Sequence, residues 1–107
     1  MKKVYIAVAA AWIGSATVGA STDEVCKSVG DLAQQSMINK QLGVPMSAMM
    51  ASMATVYQGG ALEVMQKMIV DAYSSPDFST DNMKKKQVVE FRNRNELGCY
   101  VGIQAGD

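Results

Sequence analysis

The chain has 107 residues, 49% of them hydrophobic, with ten basic and ten acidic side chains, two cysteines and no histidine. That length supports one domain with a modest core, and the balanced charge gives no whole-protein attraction to nucleic acid. The lack of histidine removes the commonest general base and the commonest metal ligand.

Residues 1–20 read as a cleavable signal peptide. Lys2 and Lys3 form a short basic start, Val4 to Gly14 is an apolar run, and Ser15 to Ala20 is a run of small residues ending Val18-Gly19-Ala20. Small side chains at the −3 and −1 positions suit cleavage after Ala20. A retained anchor is the rival reading, but a spanning helix needs about 20 predominantly apolar residues, and this run is shorter and interrupted. Cleavage predicts a single helical domain over residues 21–107 with a net charge of about −2, periplasmic or secreted, and with no stable membrane span.

An oxidising destination makes Cys26 and Cys99 a disulfide pair, the single intramolecular pairing that two cysteines allow. A reduced pair or a bridge between two chains is the alternative. Ser21 and Glu24 have capping-box spacing, and Val25, Cys26, Val29, Leu32, Ala33, Ser36 and Met37 then recur at helical intervals. The pattern predicts a helix from Ser21 to about Gln41, with Cys26 in its first turn and Gly43 as its stop.

Pro45 suits the start of a second helix, along which Met46, Met49, Met50, Met53, Val56 and Tyr57 form one stripe as far as Gly59-Gly60. A third helix carries Leu62, Met65, Met68, Ile69, Ala72 and Tyr73 inward, with Glu63, Lys67 and Asp71 four apart on the other face. Ser74 to Asp77 breaks the pattern. The fourth helix is predicted to open at a Ser79 cap, with Phe78 against Met83 as a hydrophobic staple, to turn Met83, Val88, Phe91 and Leu97 inward, and to stop at Gly98. The tail Tyr100 to Ile103 either packs back or forms a short strand. The expected fold is all-α, a compact bundle of about four short helices closed by one disulfide.

No catalytic set is visible: no base stands near a serine and no phosphate-binding loop occurs, so neither an enzyme nor a cofactor is expected. Two features could meet a partner. The methionines Met46, Met49, Met50 and Met53 share a face that could fill a core, adapt to a protein, or bind Cu(I) through soft thioethers. Lys84, Lys85 and Lys86 with Arg92 and Arg94 make a basic run that is ordinarily a solvated helix face and could contact an anionic partner.

The layout of Cys26, Leu32-Ala33, Gly43-Val44-Pro45-Met46-Ser47, Asp71-Ala72-Tyr73 with Pro76, Val88, Phe91 and Cys99 resembles a group of small exported proteins of unknown function from bacteria, prophages and phages. In plan alone the chain is similar to the Spackle-type periplasmic lysozyme inhibitors of T-even phages and to the acid-stress chaperones. The resemblance implies an exported, non-enzymatic interaction protein that inhibits or modulates a periplasmic partner, with a chaperone or Cu(I)-binding buffer as the alternative. It carries over no functional residue.

Overall fold

The computed structural model describes residues 21–106, most of which lie in four helices. The expected signal peptide falls outside the described residues. α1 spans Thr22–Gln41, α2 Met46–Val56, α3 Gly59–Tyr73 and α4 Asp81–Gly106.

α1 begins as its sequence dictates. The Glu24 backbone N–H donates to Ser21 Oγ at 3.0 Å, and the Ser21 N–H donates back to Glu24 Oε1 at 3.1 Å, so two groups of the helix start are satisfied reciprocally. Its end is a Schellman turn. Gly43 has φ +85, its N–H reaches Lys40 O, and the Val44 N–H reaches Asn39 O.

α1 is the central helix, packing along α4 on one side and against α3 on another, while α2 packs chiefly on α3. The core forms where α1, α3 and α4 meet: Ala33 and Met37, then Met65, Met68 and Ala72, then Phe91. Met53 and Tyr57 bring the α2 end onto this cluster.

A polar set locks the end opposite the disulfide. Lys40, whose side chain is only 8% exposed, sends its Nζ to Ser75 O at 2.8 Å, Pro76 O at 3.1 Å and Asp77 Oδ1 at 2.6 Å. Gln41 Nε2 donates to Lys84 O and to Gln87 Oε1, and Gln87 Nε2 donates to Pro76 O. Tyr73 OH donates to Val44 O at 2.6 Å. The end of α1, both flanking loops and the start of α4 are thereby one hydrogen-bonded unit.

α4 departs from its expected form in three respects. Its cap is Thr80 rather than Ser79, because Thr80 Oγ1 accepts from the Met83 N–H, and the expected Phe78–Met83 staple loses its register. Gly98 does not stop it: the helix runs on to Gly106, so the tail is neither a strand nor a returning segment. A glycine in a helix interior costs about 1 kcal/mol, which the bridge at Cys99 and the hydrogen bond from Tyr100 OH to Asp23 offset by tying the next turn to α1.

Third, Met83 and Leu97 point outward, Leu97 being 64% exposed. They lie eight residues before and six after Phe91, which a 3.6-residue turn rotates off the buried stripe. Gln87 takes the inward position that sequence polarity denied it. The expected Glu63, Lys67 and Asp71 series makes no ion pair of its own among the described residues; Asp71 pairs across helices with Arg94 at 3.3 Å.

Candidate functional site

The Cys26–Cys99 disulfide is formed, with Cα atoms 5.5 Å apart. Cys26 is fully buried in the second turn of α1, one turn later than expected, and Cys99 lies inside α4 rather than beyond its end. Antiparallel α1 and α4 bring these positions together. The bridge therefore fastens the longest helix contact in the molecule at the end that the Lys40 set does not reach.

The four methionines of α2 do not act as one set. Met49 is buried, and its Sδ accepts a hydrogen bond from Asn39 Nδ2 at 3.0 Å, which turns that thioether toward α1. Met53 packs on the core. Met46 is exposed and Met50 half-buried, one turn apart. Met49 is the one buried residue of α2, and Ala48, Ala51, Ala54 and Val56 lie open, Val56 at 66%.

The stretch around α2 carries another signal, visible in the sequence once the fold shows its exposure. From Gln41 to Leu62 there is no charged residue, while Leu42, Met46 and Val56 are exposed along it. An uncharged, apolar and superficial helix is unusual on a small domain, whose surface normally carries mixed charge.

The basic residues separate into bound and free groups. Arg92 donates through Nη1 to Asp31 Oδ1 and Gln34 Oε1, both at 2.8 Å, and through Nε to Glu96 Oε2 at 2.9 Å. The hydrogen bond with Asp31 is the main cause that raises the Arg92 pKa, and the same bond holds the Asp31 carboxyl below the ordinary range. Arg94 pairs with Asp71 and lies over the Phe91 ring at 5.1 Å from its centroid. Lys27 pairs with Asp31, Lys40 with Asp77 and Lys86 with Glu90. Among the described residues, Lys67, Lys84 and Lys85 have no carboxylate within ion-pair distance. The basic run thus contributes two adjacent free cations, while both arginines serve the fold.

Lys84 and Lys85 border a groove of about 470 Å³ between the second half of α1 and the first half of α4, lined also by Gln34, Ile38, Gln41, Asp81, Val88 and Val89. A second groove, of about 410 Å³, opens between α3 and α4 and reaches Cys99.

No group of three His, Cys, Asp or Glu side chains placed to hold one metal ion occurs among the described residues. No helix of the described residues is long and apolar enough to cross a membrane. No family model, curated protein or solved structure matches this chain.

Proposed function

We propose that the chain is an exported, periplasmic interaction protein without enzymatic activity, an inhibitor or modulator of a partner protein, of the kind encoded by phages and prophages. The observation that carries this reading is α2, an uncharged helix with a single buried residue on a domain whose core is complete without its outer face. Apolar side chains held open on a rigid helix lose little freedom on docking, and methionine adapts to the contour it meets. The disulfide and the Lys40 set brace the two ends of the α1–α4 pair, and α3, on which α2 packs, is seated against α1.

The test is affinity capture from periplasmic extract with the oxidised protein, run beside a Met46→Glu/Met50→Glu variant. The reading expects a stoichiometric partner that the variant loses while its thermal unfolding stays unchanged. Capture of the same proteins by both forms would remove α2 from the interface, and no stoichiometric partner in any extract would remove the interaction reading.

Met46 and Met50 also favour a second reading, a chaperone or Cu(I) buffer, because their thioethers lie one turn apart on the accessible side of α2. Met49, with its sulfur already engaged by Asn39, is a poor member of that set. Changing Met46, Met50 and Met53 to leucine should abolish Cu(I) binding in a competition titration if this reading holds; an unchanged titration, or none to abolish, ends its metal branch.

A further inference from the structure

We infer that the groove between α1 and α4 is a docking site for an acidic amphipathic helix of a protein partner, a second face that goes beyond α2 while resting on the interaction reading above. The floor is apolar: Ile38 from α1 and Val88 and Val89 from α4, with Val89 left 56% exposed. The rim is cationic, because Lys84 and Lys85 are the two adjacent cations for which the described residues supply no carboxylate. Asp31 is held by Arg92 and Lys27, and Glu90 by Lys86. Asp81 also lines the groove, in the first turn of α4, where the helix dipole favours its charge and it lies outside ion-pair distance of both lysines, so the rim carries two cations against one carboxylate.

The charge pattern selects the occupant. On a chain that is net acidic beyond residue 20, a local pair of unopposed lysines beside an apolar trough is complementary to a segment with carboxylates on one face and aliphatic side chains on the other. Two antiparallel helices present a trough of the shape that a third helix fills, with anchors spaced at three and four residues. The walls are already set: Gln41, fixed to Gln87, also holds the Lys84 carbonyl at 2.9 Å, so the first turns of α4 keep their distance from α1. Little ordering is left for binding to impose.

The test uses the oxidised, isotope-labelled protein and an 18-residue helical peptide with leucine on one face and glutamate on the other. Amide shift changes should centre on Ile38, Lys84, Lys85, Val88 and Val89, with saturable binding tighter than about 1 mM. Lys84→Glu/Lys85→Glu should weaken it at least tenfold, and so should Val89→Asp. Lys85 and Val89 are exposed and Lys84 half-buried, and unchanged melting confirms that both variants fold. A peptide with lysine in place of glutamate should not bind. Shifts confined to α2, equal binding by the charge-reversed variant, or response to phosphatidylglycerol vesicles but not to the peptide would each overturn the inference. The first two leave the interaction reading standing, since that reading fails on the capture experiment and not on this one.

Discussion

Gly30 of α1 lies directly beneath the side chain of Glu96 on α4: a Cβ built on Gly30 would stand 2.7 Å from Glu96 Cγ. Glu96 cannot simply swing away, since its carboxylate holds Arg92 Nε at 2.9 Å, and Arg92 in turn spans to Asp31 and Gln34. The bare glycine is what lets that ion-paired network close over the helix contact.

Gly30→Ala should therefore destabilise the protein by about 1–2 kcal/mol, the overpacking penalty exceeding the gain in helix propensity. In a Glu96→Ala background the same change should be neutral or stabilising by up to about 1 kcal/mol. Urea unfolding of the four proteins in the cycle checks this, and equal effects of Gly30→Ala in both backgrounds would refute the steric account.

The disulfide closes a loop across a sequence separation of 73 residues. The chain-entropy account gives about 4 kcal/mol for such a loop, a large share of the ordinary stability of a domain this size. Cys26→Ala/Cys99→Ala, or reduction of the native protein, should lower the unfolding midpoint accordingly. The helix count should survive, because the core cluster does not depend on either sulfur. Two titratable thiols in the oxidised protein would contradict the bridge.

Lys40 and Asp77 link acid sensitivity to the loop between α3 and α4. The Lys40 ammonium, through its hydrogen bond first and its charge second, holds the Asp77 carboxyl below the ordinary range, and Arg92 does the same for Asp31. A pKa lowered by folding means that the unfolded chain binds the proton more readily. The contribution is thus complete above the ordinary aspartate value of about 3.9 and is lost as pH falls through the lowered folded value. Asp77→Asn should flatten stability against pH over that acid window and change little at pH 7, since the carboxylate is 93% exposed and screened. Lys40→Met should cost about 1–3 kcal/mol at neutral pH, because it strips the Ser75 carbonyl of its donor and leaves Pro76 O with Gln87 alone. Denaturant midpoints between pH 2 and 7 separate the two effects.

Phe91 and Leu97 look alike in the sequence and should differ sharply on truncation. Phe91→Ala empties the centre of the core cluster and should cost about 3–5 kcal/mol. Leu97→Ala, on the open side of α4, should fall within about 0.5 kcal/mol of the parent. Thermal melts of the two variants decide it, and comparable losses would mean that Leu97 is covered in solution.

Local rules were legible where the chemistry is local. The Ser21–Glu24 box, the Gly43 turn and the inward faces of α1 and α3 follow from residues within four positions of one another. The candidate surfaces were less so. The basic run looked like one patch, yet its arginines are claimed by carboxylates up to 61 residues away in sequence, and no spacing rule announces such partners. The methionine stripe had the right period, but whether a thioether faces the core, an asparagine or solvent depends on which neighbouring helix arrives. The uncharged run from Gln41 to Leu62 was a readable signal, and it gained meaning once α2 was placed at the edge of the bundle.

The sequence by itself determined that this chain makes four helices and that its two cysteines can join antiparallel partners, because capping, periodicity and cysteine count act through the chain's own neighbours. Tertiary structure alone decided that α4 passes through Gly98, that Gln87 is buried and Leu97 is not, and that Lys84 and Lys85 meet no carboxylate among the described residues while Arg92 and Arg94 are spent on the fold. Those outcomes depend on contacts between distant segments, where a covalent bridge, a matched carboxylate or a missing Cβ outweighs the few tenths to about 1 kcal/mol that local propensity supplies.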